Sequence, residues 1–596
     1  MSNSTNQAPW HSTSQPQWTW STVLEHTEGA PSLPPSRTVK RKRDEALVEL
    51  DISSEGTATS YTGGGHICSP KNPSPSKRNM RKRRKLAHGI ATAVEKEADR
   101  WQKEFNHIDV EVYTGDLLER GANKRRAPKY DRGFAEPNPI LSEYLAEVKP
   151  DLHGVNLEEF CFMTSNLQAQ MDHLKHYDYS PEDPSDEVRE LYMRAADLVD
   201  YELGLWEPLD FPHADDISDV RYRPDRFPGW EYRAEGYKTR RDAHPTACVD
   251  AKRGFQVLME GLDLKPHYVR MGGRGKPVST SQAEAEEQGV VKGRLILMTS
   301  SRDFLICGVT EQPLNDRFKD RDCFISVGDS WFLGGSGQTY NLYKDYTKFY
   351  CFDAKKYDSS LPPWMISRAI TSLRMQFKDG LSTKYDAYWR FVERTMFETE
   401  ILRDDGIVFT KHTGTTSGHN HNSIIQSIIS ATLFLYAMLK LNPNLKGSQI
   451  MKNVMFKTLG DDTLPATREP VAPTPYRQIA NLIWEDLRID WRGEKSYATT
   501  EYLDVELGNE EFTETDRFQS VQYLGKFFTT LEYQVENETY EKVIPYRPFH
   551  ETLVRLYYPE RPVNTAEKTP AEIGQIFYQR ALGHILDGFG NPWTRA

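Results

Sequence analysis

The sequence predicts an α+β fold, and three stretches carry that prediction. The run Lys348-Phe349-Tyr350-Cys351-Phe352-Asp353 is aromatic-rich and strand-like, and Leu361-Pro362-Pro363 then opens a helix from about Trp364 to Gln376, with proline in its first turn. A polar loop from His412 to Asn422 feeds a nearly all-apolar helix that Asn442-Pro443 ends. Being apolar all round, this helix must be buried. The short apolar run Val454 to Leu459 meets Gly460-Asp461-Asp462 and continues as Thr463-Leu464-Pro465, the pattern of a tight hairpin.

The totals bound what surrounds these elements. With 596 residues, 38% hydrophobic and 11% aromatic, the chain holds more core than one layer pair, so about two to four subdomains are expected. Six cysteines (Cys68, Cys161, Cys248, Cys307, Cys323, Cys351) show no CxxC spacing, which points to a reducing compartment rather than a disulfide framework. No signal peptide opens the chain and no window approaches roughly 18 uninterrupted apolar residues, so a soluble intracellular protein with no membrane partner is expected.

The net charge of −11 conceals an asymmetry: Met1 to Ile90 holds 13 Lys and Arg against 7 Asp and Glu. Residues 1–92, rich in Ser, Thr, Pro, Gln and Gly, cannot bury enough surface to fold alone and read as a disordered basic arm. Its clusters, Lys40 to Arg43 and Lys77-Arg78 with Arg81 to Lys85, suit a polyphosphate partner or nuclear import, or serve as a solvated tail.

Globular composition begins near Ala93. A helical pattern covers Glu95 to Phe105, Lys124-Arg125-Arg126 is a basic loop, and helices are expected near Leu157 to Lys175 and Ser185 to Tyr201. Trp206 to Trp230 is punctuated by proline and aromatics and reads as irregular. Met271 to Pro277 reads as a Gly-rich basic loop, and VKGRLILMTSSRDFLI as a strand with Lys292 and Arg294 on one face.

Asp353, with Asp358 five residues on, sits where a strand gives way to a helix, an edge where chemistry tends to be placed. Paired carboxylates at Asp461 and Asp462 are costly unless a cation lies between them, as in a divalent-metal site with hard oxygen ligands. The loop before the buried helix offers Ser417, Asn422 and Gln426 to a ligand. Asp490 to Lys495 follows a second apolar run, and Tyr523 to Phe528 reads as a strand pair turning on Gly525. A lysine such as Lys495 can act as a general acid beside a phosphate.

Taken in order, the basic strand, Asp353 with Asp358, Ser417-Gly418 with its helix, Gly460-Asp461-Asp462, Glu494-Lys495 and Leu524-Gly525 resemble the motif series of viral RNA-dependent RNA polymerases, covering Lys292 to Phe528. The spacing agrees, with 65 residues from Asp353 to Gly418 and 43 from Gly418 to Asp461. Within that superfamily the chain looks most like the enzymes of partitivirus-like and picobirnavirus-like double-stranded-RNA viruses, including curvulavirus-like ones.

The resemblance implies a right-hand fold: the arm over 1–92, a bridging region and fingers over 93–345, a palm of antiparallel sheet and helices with an inserted fingers segment over 346–515, and a thumb over 516–596. It implies template-directed RNA synthesis by two-metal nucleotidyl transfer. Asp353 and Asp461 would ligate Mg²⁺, for which Mn²⁺ can substitute, with Asp462 in support. Lys292 and Arg294 would grip the incoming triphosphate, and Lys495 would protonate pyrophosphate. Asp358, Ser417, Gly418, Asn422 and Gln426 would line the ribose site and sense its 2′-OH. Many such enzymes carry Thr and Asn where this chain has Asn422 and Gln426, and a carboxamide keeps both a donor and an acceptor. Implied partners are template and product RNA, ribonucleoside triphosphates and a viral capsid protein, in the virion and host cytoplasm. Two other classes are a reverse transcriptase, which usually carries an aromatic beside the paired acids where this chain has Leu459 and Gly460, and a non-enzymatic RNA-packaging protein.

Overall fold

Strand β7 (Lys348–Cys351) lies in a four-stranded antiparallel sheet between β11 (Asp462–Thr467) and β12 (Tyr497–Thr499), with β10 (Val454–Leu459) outermost beside β11. The computed structural model describes residues 77–126, 133–204, 207–280, 294–319, 323–332, 334–507, 519–535, 538–559 and 568–595. Both faces of β7 are covered: Tyr350 and Phe352 join one hydrophobic cluster, Phe349 and Cys351 another. This two-sided burial is why the segment reads as a continuous apolar run rather than an alternation.

The helix Asn422–Leu441 runs beneath that sheet, and every residue from Ile424 to Leu439 is buried. Tyr350, Phe352, Val454 and Phe456 of the sheet pack in its cluster, together with helices Asp186–Leu203, Pro363–Arg374 and Tyr476–Leu487. Each Leu, Ile or Phe so buried contributes about 1.5–3 kcal/mol. By length and composition the helix could cross a membrane, but 89% of its apolar window is buried within the protein. It is the rigid floor on which this sheet rests.

A second sheet has the order β1 (Asp109–Val112), β9 (Ile407–Lys411), β8 (Thr399–Leu402), β4 (Val269–Arg274), β6 (Arg294–Met298). Strands β8 and β9 come from between β7 and the buried helix, so this part of the chain leaves the four-stranded sheet and joins the preceding region. Helix Lys77–Glu104 packs on it through Val94, Ala98 and Trp101, spaced four and three residues apart. That helix reaches back into the stretch expected to be arm: residues 77–92 are helical. The physical reason is that Lys, Arg, Leu and Ala are good helix formers, and an anchored turn at Val94 extends upstream at little cost. The Lys40 to Arg43 cluster and Lys292 lie outside the described residues.

Three further readings are corrected. The Gly-rich segment is two strands, β4 and β5 (Lys276–Ser279), not a loop. Gly272 and Gly273 pair with Ile296 and Leu295 of β6, and a Cβ on Gly273 would come within 1.8 Å of Ser165 Oγ. Glycine is there for close packing rather than for a turn. The basic strand is shorter than expected, because Ser300 accepts the Asp303 amide at 3.3 Å and a helix runs from Ser301 to Lys319. A hydroxyl with an acid three residues later is a helix-start signal. Phe160–Thr164 is a strand, β3, paired with β2 (Gly133–Ala135) and β5, where a helix was expected. Asn156 and Asn166 cap the short helical pieces on either side, confining helix to Leu167–Leu174.

Toward the C-terminus, the hairpin β13 (Phe527–Val535) and β14 (Glu538–Tyr546) leads to helices Phe549–Tyr557 and Pro570–Asp587. The turn before it has Leu524 at φ 51° and Gly525 at φ 69°, and the flanking Tyr523 and Lys526 exchange both backbone hydrogen bonds. Two positive φ values define a type I′ turn. Tyr557 and Tyr558 bond back to Asn138 and Phe160, with Leu157, Phe162, Leu553 and Val554 in one cluster. The N-terminal region thus clasps the C-terminal helices.

Candidate active site

The hairpin β10–β11 turns through only two residues, because Leu459 pairs with Asp462. Gly460 occupies the first central position at φ 68° while Asp461 keeps negative φ, as a type II′ turn requires. The turn is held from below: the Gly460 amide donates to Ser427 Oγ at 2.9 Å, and Ser430 Oγ donates to the Gly460 carbonyl at 2.8 Å. Both serines belong to the buried helix, so the rigid floor sets the height of Asp461.

Asp353 reaches the same place from β7. Phe352 bridges Thr463, which puts Asp353 across from Asp462. Its amide donates to Ser496 Oγ at 2.8 Å and its carbonyl accepts the Gly493 amide at 3.0 Å. A Cβ on Gly493 would lie 2.2 Å from that carbonyl oxygen, so only glycine fits. The loop that carries Lys495 is thereby docked on the backbone of Asp353.

All three carboxylates are exposed to solvent, yet protein surrounds them densely enough that desolvation is the largest influence on their titration. Burial raises the Asp461 pKa to about 6, with Asp462 and Asp358 adding repulsion. Asp462 is raised by burial and then by Asp353, and Asp353 by burial against the opposing pull of Lys495. Mutually repelling, desolvated carboxylates favour a bound cation. Arg294, at the start of β6, lowers both Asp461 and Asp462, so the basic strand faces the acids. Lys495 acts electrostatically on Asp353 and, on its other side, on His550 and Glu551 of the C-terminal helix.

Asp358 stands one step away. Gln426 Nε2 donates to its Oδ1 at 2.5 Å and to Thr415 Oγ1 at 2.8 Å, and the Thr415 amide donates to the Asp358 carbonyl at 2.6 Å. Asn422 does not join this group; its Oδ1 is buried with no hydrogen-bond partner among the described residues. Of the two carboxamides, Gln426 is the one brought to Asp358. Ser417 and Gly418 are turned the other way, onto β6: the Leu297 amide donates to Ser417 Oγ at 3.1 Å, and a Cβ on Gly418 would lie 2.0 Å from the Leu297 carbonyl. They join the loop to the basic strand.

Among the described residues, no three His, Cys, Asp or Glu side chains meet tightly enough to cage an ion by themselves. Mg²⁺ needs no such cage, since it binds through one or two carboxylates together with waters and substrate phosphates. The hard-oxygen donor set of Asp353, Asp461 and Asp462 fits that chemistry.

Sequence reasoning overlooked Tyr357, Thr415, Ser427, Ser430, Gly493 and Ser496, which position the acids. Ser427 and Ser430 carried a readable signal, as hydroxyls three residues apart inside a nearly all-apolar helix. Gly493 carried none, because its role depends on a contact 140 residues away in sequence.

Residues 270–539 match the family described as viral RNA-dependent RNA polymerase. Among curated proteins, a genome polyprotein of Peanut mottle virus (strain M) is 26% identical over 176 residues, which cover 28% of this chain and 6% of the polyprotein. The chain therefore spans a small fraction of that relative. The matched stretch contains β4 from Arg270 on, β6, the four strands β7, β10, β11 and β12, the buried helix and the three clustered acids. Residues 270–539 are thus similar to viral RNA-dependent RNA polymerases, a family of nucleotidyltransferases.

Proposed function

We propose that this chain performs template-directed RNA synthesis from ribonucleoside triphosphates by two-metal nucleotidyl transfer, for genome replication and transcription of a virus. The observation that carries the reading is the convergence of Asp353, Asp461 and Asp462 at one edge of the palm sheet, with Arg294 facing them. Asp353 and Asp461 hold the metals, and Asp462 supports them. Bound Mg²⁺, or Mn²⁺ in its place, neutralises triphosphate charge and lowers the pKa of the primer 3′-OH. Arg294, with Lys292 upstream, grips the triphosphate, where a guanidinium suits bidentate contact. Asp358, oriented by Gln426 and Thr415, accepts the ribose 2′-OH, while Ser417 and Gly418 fasten the loop to the strand that carries Arg294. Lys495, beside Asp353, protonates the leaving pyrophosphate.

On this reading the hand comprises bridging region and fingers over 93–345, palm over 346–515 and thumb over 516–596. The basic N-terminal stretch, residues 1–92, serves to contact RNA, its last part being the start of helix Lys77–Glu104. The order and spacing of the motifs favour a partitivirus-like or picobirnavirus-like double-stranded-RNA virus, with capsid protein as a further partner and the virion and host cytoplasm as location. The test is incubation with an RNA template, four ribonucleotides and Mg²⁺, comparing the natural chain with Asp461→Asn. Template-dependent product that the substitution abolishes supports the reading; no product, or product unchanged by the substitution, sinks it.

A further inference from the structure

The turn bearing Asp461 is joined to the segment bearing Asp353 and Asp358 by a chain of buried hydroxyls. Tyr357, in the short helix Tyr357–Ser360, places its OH 2.7 Å from Ser430 Oγ, and Ser430 Oγ lies 2.8 Å from the Gly460 carbonyl. On the other side of the same glycine, its amide reaches Ser427 Oγ at 2.9 Å, and Ser427 Oγ reaches the Ser423 carbonyl at 2.6 Å. Tyr357, Ser427, Ser430 and Gly460 are all buried, so water does not compete for these groups.

The chemistry of each group orients the whole chain. A carbonyl only accepts, and a hydroxyl has one hydrogen to give. The Gly460 carbonyl must therefore take the Ser430 hydrogen, which leaves Ser430 as acceptor for Tyr357. The reverse orientation would strand a buried carbonyl. Likewise Ser427 gives its hydrogen to the Ser423 carbonyl and accepts from the Gly460 amide. Donation runs one way, from Tyr357 through Ser430 to Gly460 and on through Ser427 to Ser423. Both peptide groups of Gly460 are captured, so its φ and ψ, and with them the direction in which Asp461 leaves the turn, are set by the helix and by Tyr357.

We propose that Tyr357, Ser430 and Ser427 are positioning residues for the metal-holding carboxylate Asp461, coupling its turn to the Asp353–Asp358 segment through a one-directional hydroxyl chain. This rests on the proposed function in assigning a metal to Asp461. None of the three touches substrate. They act by making the spacing of Asp353 and Asp461 a property of the buried helix rather than of two independent loops.

The experiment uses the full chain and two readouts: Mn²⁺ affinity from the free-ion paramagnetic resonance signal, and kcat with KM for the correct ribonucleotide on a primed template. Tyr357→Phe removes one hydroxyl and keeps the ring; Ser430→Ala removes the next. Each is expected to weaken Mn²⁺ binding and lower kcat by about threefold to tenfold, the reach of one buried hydrogen bond, with KM unchanged. The double variant is expected to lose no more than Ser430→Ala alone, because both cut the same chain. Mn²⁺ affinity and kcat within twofold of the natural chain in Tyr357→Phe would overturn the proposal, even if Ser430→Ala fails to fold. Asp461→Asn separates the two layers: if it abolishes Mn²⁺ binding while Tyr357→Phe is silent, the hydroxyl chain is refuted and the metal assignment stands. If Asp461→Asn leaves Mn²⁺ binding intact, the metal assignment itself fails and this proposal falls with it.

Discussion

Replacing Gly493 with alanine would place a methyl carbon 2.2 Å from the Asp353 carbonyl oxygen and 2.3 Å from its Oδ2. Ordinary contact between such atoms begins near 3.4 Å, so the 491–496 loop and the Asp353 backbone must separate by about 1 Å. Gly493 does not sit in the left-handed region, so alanine adds no backbone strain and the clash is the whole perturbation. Separation lengthens the Gly493-to-Asp353 hydrogen bond, now 3.0 Å, and shifts both Asp353 and the neighbouring Lys495. Overpacking of this kind costs about 1–3 kcal/mol of stability, which a domain of this size tolerates. A misplacement of about 1 Å at reacting groups costs on the order of 10²-fold in rate. Single-nucleotide addition on a primed RNA template is therefore expected to show kcat lowered about 10²-fold, with KM for the ribonucleotide little changed and a cooperative thermal transition retained. A Gly493→Ala enzyme with natural kcat would refute the reasoning, because the geometry of the acid cluster would then not depend on this contact. A variant that loses kcat only in proportion to its unfolded fraction would refute it equally.

Gln426→Leu keeps nearly the same shape but removes the bonds to Asp358 and Thr415. The preference for ATP over dATP, measured as a ratio of kcat/KM, is expected to fall about tenfold or more; an unchanged ratio would show that Gln426 does not orient a ribose sensor. His421 is fully buried behind the Ser417-Gly418 loop, bonded to Thr310 at 3.0 Å, and burial pushes its pKa down to about 3. Its folded form stays neutral while the unfolded chain takes up a proton near pH 6.5, so its contribution to stability is lost as pH falls through that value. Between pH 7 and pH 5 the unfolding free energy of the natural chain relative to His421→Gln is expected to drop by about 2 kcal/mol. Denaturant titrations at the two pH values check this, and a difference independent of pH would count against a neutral buried imidazole.

Much of the four-stranded sheet and its helix was legible because their signals are local. The two-residue turn at Gly460-Asp461 needs only a glycine between two apolar strands, and the buried helix announces itself by having no polar face. Readings failed where tertiary contacts decide. Gly272 and Gly273 looked like a loop because glycine usually marks one, but Ser165 and Met298 crowd them inside a strand. Helix Lys77–Glu104 began earlier than its composition suggested, because Val94 and Trp101 anchor it to a sheet whose strands come from far along the chain.

By itself, the sequence determined which groups could do chemistry: three acids, a basic strand, a polar loop on a buried helix and a lysine, in a fixed order. Tertiary structure decided how they are used. It turned Ser417 toward Leu297 and Gln426 toward Asp358, and it hung the Asp461 turn on Ser427 and Ser430. The physical reason is that a side chain's residue type sets what it can donate or accept, whereas its direction is set by the packing of elements tens to hundreds of residues away.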